Sequence, residues 1–367
     1  MDKHRTILAL GLAAALLTGL TACGTPSAAG DGTSQGTQAQ AESSTQPVQP
    51  QDSDSTQEFL DSITPETAEA KGVCGADLTW YYQDNVLVIK GTGEMTEYTY
   101  SDDFPWSTYR EQIGTVIIDE GCTKISEGAF ENCVYLSSVS FPDTLLTIDY
   151  SAFCNCESLK NITLPNNIVC IQSNSFENCN IEYVDIPASL TELYANSFKS
   201  NPIKAFYVDS GNSAYIDIDG VLFSKDLKTL IRYPSQKEET TYTIPDGTEV
   251  IGIRAFEDCY KIHELDIPDS VTTISNHAFD GTGIESFTIP ASVTNIGGEE
   301  SNVVSFVIMG PASIKVSITF LGDAPEMWKK KCPFMSNAGE ITIYYSGSGF
   351  EPYMEAWADT SINWIKQ

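Results

Sequence analysis

Apolar and polar residues alternate along this chain in short bursts that recur at a fixed interval. Val139 and Phe141 flank Ser140, Ile162 and Leu164 flank Thr163, and Leu265 and Ile267 flank Asp266. Alternation of this kind marks a short strand with one buried face. A proline closes each burst, at Pro142, Pro165, Pro187, Pro245, Pro268 and Pro290. Proline offers no N–H to a strand ladder, so it ends the strand. Phenylalanines keep the same beat at Phe130, Phe153, Phe176 and Phe198, then at Phe256 and Phe279. Both markers step by 22 or 23 residues and both jump once by 58. Two residue types sharing one period and one interruption establish an internal duplication. A single unit has nothing to bury its apolar face against, whereas stacked units share one core. The pattern therefore predicts a solenoid of short strands with the phenylalanines inside.

The unit motif runs Leu159, Ile162, Leu164, Pro165, Ile168, Ile171 and Phe176, with a cysteine three residues further on. This motif resembles the BspA-like bacterial leucine-rich repeat, and the resemblance covers roughly residues 74–367. It implies a repeat solenoid, mainly β, of right-handed leucine-rich-repeat type, with a parallel strand ladder, 22–23-residue units and β-rich caps. Residues 74–80 and 89–95 look like the family's N-terminal cap, and residues 318–325 and 343–345 look like its C-terminal cap. The stretch 218–234 is similar to a variant unit of the family, a hairpin. Asn201 and Thr282 depart from the unit cysteine, and the period fades after Ile296. The expected division is a signal peptide over 1–22, a lipid anchor and tether over 23–72, and an N-terminal cap over 73–120. The solenoid follows over 121–300, with the hairpin unit near 203–244, and the C-terminal cap over 301–367. Members of this family are cell-surface proteins, some of which bind matrix proteins or other cells. The resemblance thus implies adhesion or cell–cell contact rather than catalysis.

The N-terminus carries an address. Lys3, His4 and Arg5 precede an apolar run from Thr6 to Leu20, too short to span a bilayer but right for a secretory signal. The run ends in Leu20, Thr21, Ala22 and Cys23, which resembles a bacterial lipobox. The resemblance implies that Cys23 is diacylated and becomes the new N-terminus, attaching the exported protein to the outer face of the cell membrane. Two acyl chains give stable attachment, at about 0.8 kcal/mol per buried methylene. From Gly24 to Gly72 the chain is rich in Ser, Thr, Gln and Gly and lacks the apolar content to fold. It reads as a tether with a reach on the order of 35–40 Å.

Charge narrows the partners. A formal charge of −30 repels nucleic acid and anionic headgroups, so the membrane is reached only through the Cys23 lipid. Catalytic signatures are missing: there is no His-Glu-x-x-His and no Gly-x-Ser-x-Gly. No enzyme, cofactor or metal is expected. Gly91 and Gly93 follow an apolar run, but Thr96 stands at the third glycine position of a dinucleotide loop, so a hairpin turn is expected. Asp217, Asp219 and Asp226 imitate part of a calcium loop, yet Tyr215 occupies its first ligand position, and an Asp-Gly turn is expected. Cys133, Cys156, Cys179 and Cys259 each follow a unit phenylalanine by three residues, the pattern of a buried thiol ladder. Cys154 and Cys156 lack zinc spacing. The five tryptophans, Trp80, Trp106, Trp328, Trp357 and Trp364, lie outside the repeats. They seal the solenoid ends or stack on sugars.

The outward side of the strands remains as the candidate binding surface. Its aromatic and charged positions are Tyr183, Asp185, Tyr207, His263, Glu264 and Asp266, flanked by Ser140, Asn161, Thr163, Lys204 and Thr288. Such a face varies without touching the core. The expected partner is a protein or a glycan, bound by a monomer. A glycan module for nutrient capture is the alternative. A hydrolase would need His263 or His277 joined to a carboxylate and a nucleophile.

Overall fold

Most repeats make one coil with two short strands, and like strands of neighbouring coils pair side by side. The coil of Ile162 and Leu164, whose alternation predicts a strand, keeps both side chains buried without forming a first-ladder strand. The computed structural model describes residues 63–297, 315–324, 340–356 and 362–367. Cys23, the tether as far as residue 62, Trp328, Trp357 and Lys329 to Lys331 lie outside the described residues. The expected tether runs to residue 72, whereas residues 70–72 already belong to the strand Ala70–Val73, whose backbone pairs with Gly75–Gln83. Residues 68–367 form one unit, a mainly β solenoid of about nine turns of about 23 residues.

The first ladder uses the alternating bursts. It runs from Thr115–Ile118 to Ser138–Ser140, resumes at Tyr183–Ile186 and Ala205–Val208, and resumes again at Thr241–Thr243, Glu264–Asp266 and Ser286–Ile289. The second ladder follows the proline turn of each coil, through Cys122–Ile125, Thr147–Ile148, Cys170–Ile171 and Glu192–Leu193. All these pairings are parallel. A repeated turn joins the two strands of a coil: Leu145, Ile168 and Leu190 donate their N–H to the carbonyls of Pro142, Pro165 and Pro187 at 3.2, 3.3 and 3.2 Å.

An antiparallel sheet of Ala70–Val73, Gly75–Gln83 and Val86–Met95 closes the N-terminal end. The sequence places a hairpin turn at Gly91 and Gly93. The structure puts that turn at Asp84 and Asn85, both left-handed at φ 49° and 65°. The glycines lie inside the strand Val86–Met95, where it changes partner. Val86 to Ile89 pair with Thr115–Ile118, and Gly93 and Glu94 pair with Cys122–Ile125. Gly91 sits at φ 117°, and a Cβ there would stand 2.0 Å from the Asp77 carbonyl oxygen. Glycine is required at this corner because one strand starts both ladders.

Aromatic rings fill the core as a stacked file. Trp106, Phe130, Phe153, Phe176 and Phe198 follow one another at centroid distances of 5.5, 5.1, 5.2 and 5.3 Å. The spacing is that of adjacent strands, slightly widened to the thickness of stacked rings. A second file runs Tyr233, Phe256 and Phe279 at 5.4 and 5.5 Å. Tyr233 stands 23 residues before Phe256, so the 58-residue jump hides a missing marker that is a tyrosine. The rest of the jump is a hairpin. Tyr215–Ile218 and Val221–Ser224 pair antiparallel, and Thr229–Arg232 adds to them before rejoining the second ladder at Val250–Ile251. The strand Val221–Ser224 is a wall between two cores. Leu222 packs with the N-terminal core, whereas Val221 and Phe223 pack with the C-terminal one.

The unit cysteines are free, buried thiols. Cys156 and Cys179 each hydrogen-bond the carbonyl of the aromatic residue one coil back, Phe130 and Phe153, at 3.3 and 3.2 Å. Asn201 makes the same bond to Phe176 at 2.6 Å. The substitution therefore keeps the contact that the cysteine provides. Burial pushes the Cys122 thiol up to about 11 and the Cys133 thiol up to about 12, which removes the reactive thiolate. Beside this row Asn132, Asn155 and Asn178 sit in the left-handed region at φ 62°, 61° and 53°. Asn tolerates that conformation better than other side chains that are not glycine. Their amides form a second row, Asn155 to Asn132 at 2.8 Å and Asn178 to Asn155 at 2.9 Å.

Candidate functional site

Period-two alternation puts Val184, Ile186 and Phe206 in the core and turns Tyr183, Asp185 and Tyr207 to solvent. The strands Tyr183–Ile186 and Ala205–Val208 pair in register, with Ala205 opposite Tyr183 and Tyr207 opposite Asp185. The two tyrosines are therefore diagonal neighbours, within reach of aromatic side chains. Their rings stack at 6.2 Å and 14°, although Tyr183 remains 44% and Tyr207 51% exposed. Lys204 places its Nζ 5.7 Å from the Tyr183 ring centroid and pairs with Glu182 at 2.6 Å. Hydrogen bonding to Glu182 holds the ammonium above the usual lysine range. An exposed ion pair adds little stability, so its consequence here is to fix Lys204 over the ring. Two aromatic faces, a cation and the Asp185 carboxylate thus stand together on strands whose other side is anchored in the core.

His263, Glu264 and Asp266 lie elsewhere. Glu264 and Asp266 belong to the sheet that contains Thr241–Thr243, Glu264–Asp266, Ser286–Ile289, Lys315–Phe320, Glu340–Tyr345 and Ile362–Lys366, and His263 directly precedes its second strand. The tip of the hairpin separates this sheet from the tyrosines, because the Phe206 N–H donates to the Gly220 carbonyl at 3.0 Å where a further ladder strand would pair. The six candidates are thus two surfaces. His263 is exposed, but its Nδ1 lies 3.1 Å from the Gly283 carbonyl. A carbonyl only accepts, so Nδ1 carries the proton and the ring is tied to the next coil. Glu264 and Asp266 line an open trough of about 760 Å³ together with Thr241, Thr243, Ser286, Thr288, Ser317 and Thr319. Register places Thr241, Glu264, Ser286 and Ser317 in one row, while Thr243 stands beside Asp266 and Thr288 beside Thr319. Sequence reasoning missed this trough. Its signal is the pairing of hydroxyls two residues apart, Thr241 with Thr243, Ser286 with Thr288 and Ser317 with Thr319.

Other expected face positions divide. Thr163 and Asn161 are exposed, whereas Ser140 is buried, as is Ile117 in register with it. Trp80 and Trp106 are buried and meet edge to face at 6.0 Å. The Trp106 Nε1 donates to the Ala129 carbonyl at 2.8 Å. Both seal the end of the solenoid and present no ring to a sugar. The aspartates of the calcium-like stretch are occupied locally. Asp217 accepts the Val208 N–H at 2.8 Å, and Asp226 accepts from Ser224 Oγ at 2.7 Å and the Lys228 N–H at 3.1 Å. His277 pairs with Asp280 at 2.6 Å at the edge of an ion cluster that also holds Arg254, Glu257 and Arg232. Among the described residues no group of three His, Cys, Asp or Glu side chains is placed to hold a metal ion.

Coils of two short parallel strands, with an aromatic file inside and a variable face outside, define a leucine-rich-repeat solenoid. Six copies of the BspA type leucine rich repeat region match residues 123–240 and 235–302, and through that region the chain belongs to this family. Among solved structures it is similar to a leucine-rich repeat protein from Eubacterium ventriosum. That likeness has a TM-score of 0.63 and 23% identity over 81% of this chain and 85% of the other. It is also similar to the pneumococcal vaccine antigen PcpA, with a TM-score of 0.50 and 18% identity over 82% of this chain and 99% of the antigen. At these identities the likeness concerns the fold. Among curated proteins none matches the chain.

Proposed function

We propose that the protein is a lipid-anchored surface receptor or adhesin whose solenoid binds another macromolecule through the first-ladder face. Tyr183, Asp185 and Tyr207 are its anchor. The observation that carries this reading is the exposed, stacked pair Tyr183–Tyr207 with Lys204 on one ring. Exposed aromatic groups on a rigid support are the residues that most often dominate binding energy, because little conformational freedom is lost when they are covered. A protein partner fits better than a glycan, since Trp80 and Trp106 are spent on sealing the N-terminal cap.

Replacing Tyr183, Asp185 and Tyr207 together by Ala removes aromatic area and charge but no core side chain. Surface changes of this type usually shift stability by about 0.5 kcal/mol each. Loss of aromatic anchors costs about 2 kcal/mol or more of binding, roughly thirtyfold in affinity. A binding array of matrix proteins and glycans, read with wild type and the triple variant, checks this. Wild-type thermal stability with affinity lowered roughly thirtyfold is the expected result. Unchanged affinity for every wild-type ligand would remove this face as the site.

The anchor is tested separately. Cys23→Ser is expected to release the protein from the membrane fraction or to leave the signal uncut. If wild type never incorporates labelled fatty acid, the lipoprotein assignment fails.

A further inference from the structure

A second concave feature lies at the N-terminal end of the solenoid and owes nothing to the strand face. The loop after the strand Val86–Met95 folds back over the turns of the first two coils. Tyr98, Tyr100 and Asp102 from the loop, and Glu127, Glu131 and Tyr150 from the turns, line a pocket of about 340 Å³. The turns are fixed against each other by the Gly128 N–H, which donates to the Tyr150 carbonyl at 3.0 Å. Close approach of the loop needs Gly128, at φ 65°, where a Cβ would stand 3.3 Å from Ser101 Cβ. Two of the three rings are held in place. Tyr98 packs on Phe104 at 4.6 Å, and the Tyr150 hydroxyl accepts from Asn174 Nδ2 at 3.1 Å. Tyr100 and Tyr150 are nonetheless 71% and 43% exposed, with ring surface left to offer.

The charges around this pocket do not balance. Arg110 is paired with Asp102 at 2.7 Å, and Lys124 is shared between Glu97 at 2.6 Å and Asp149 at 2.8 Å. Neither cation lines the pocket. Three tyrosines therefore line a space together with two glutamates, Glu127 and Glu131, that have no basic partner among the described residues.

We infer that this pocket binds an organic ammonium ion. Aromatic faces attract cations through their quadrupole, and the attraction is strongest for ions that shed water easily. A hard metal ion needs several oxygen ligands close together, whereas phenol faces suit the soft surface of an alkylammonium group. The volume is at the low end of the range for small-molecule sites and far larger than a single ion requires. The carboxylates of Glu127 and Glu131 supply the counter-charge, and Tyr98, Tyr100 and Tyr150 supply the walls.

The test uses the full chain with tyrosine-labelled NMR signals, titrated with tetramethylammonium, with n-butylammonium and with the neutral n-pentanol. Saturable shifts of Tyr98, Tyr100 and Tyr150 are expected with at least one ammonium ion, and an affinity for n-pentanol at least about tenfold lower. Whichever ammonium binds more tightly identifies the class as quaternary or primary. Tyr150→Leu and the double variant Glu127→Gln/Glu131→Gln should each weaken binding about fivefold or more while melting with wild type. Equal response to n-pentanol, or shifts reproduced by sodium chloride at matched ionic strength, would overturn the assignment on the wild-type protein alone. Binding unaltered in both variants would overturn it as well.

Discussion

Phe153→Ala is expected to destabilise the protein by about 3–5 kcal/mol, the range for deleting a fully buried aromatic side chain. Phe153 has no exposed surface. Phe130 stacks on one side at 5.1 Å, Phe176 on the other at 5.2 Å, and Phe141 meets it edge-on at 5.7 Å. Truncation leaves a cavity in the middle of the file, and the rings on either side are held by their own coils, so they cannot close it. Solenoid stability is a sum over neighbour interfaces, and this change weakens two at once. The strand Val221–Ser224 stands between the N-terminal core and the one containing Phe256. Hydrogen exchange should therefore quicken first in the coils around Phe130, Phe153 and Phe176, while the coils around Phe256 and Phe279 keep their protection. Urea denaturation measures the loss. A change below 1 kcal/mol, or equal loss of protection in both halves, would refute the stacked-file account.

That account was legible in the sequence because every coil puts the same residue in the same environment. Phe130, Phe153 and Phe176 recur, and so do the prolines after them, since each is fixed by contact with its own copy one coil away. Residues freed from that constraint were harder to read. Tyr233 continues the file with a different side chain, so a search for phenylalanine passes over it. Most second-ladder strands are two residues long, as in Thr147–Ile148 and Cys170–Ile171, which is too short for any periodicity to register. Val221, Leu222 and Phe223 form an unbroken apolar run because both faces of that strand are buried, and such a run does not reveal that it divides two cores. Asn132, Asn155 and Asn178 are plain polar residues until their left-handed backbone is seen. The outward face was legible as a set of positions but not as a surface. Alternation assigns Tyr207 and Glu264 to the same side of their strands, yet only the fold shows the Asp219–Gly220 tip lying between them.

The second large effect belongs to a residue that no repeat marker singles out. Glu257→Ala is expected to cost about 3–5 kcal/mol, the range for removing one partner of a buried ion pair. The Glu257 side chain is 6% exposed and accepts from two arginines, Arg232 at 3.2 Å and Arg254. Arg232 is itself buried and spends the same Nη1 on the Arg254 carbonyl at 2.7 Å. It comes from the last strand of the hairpin unit, so the pair fastens that unit to the first regular coil after it. Without the carboxylate the Arg232 guanidinium stays in the interior with only a carbonyl, and Arg254 is left with Asp280 at 3.9 Å. The cost is that of a stranded charge rather than of a lost attraction. Replacing both ends, Arg232→Met with Glu257→Leu, should therefore be much less damaging than Glu257→Ala alone. Burial also predicts that 1 M salt leaves the penalty almost unchanged, whereas an exposed pair such as Lys204–Glu182 would be screened away. Urea denaturation of the three proteins at low and high salt measures both effects. A double replacement as unstable as Glu257→Ala, or a penalty that high salt abolishes, would show that the cluster does not act as a buried ion pair.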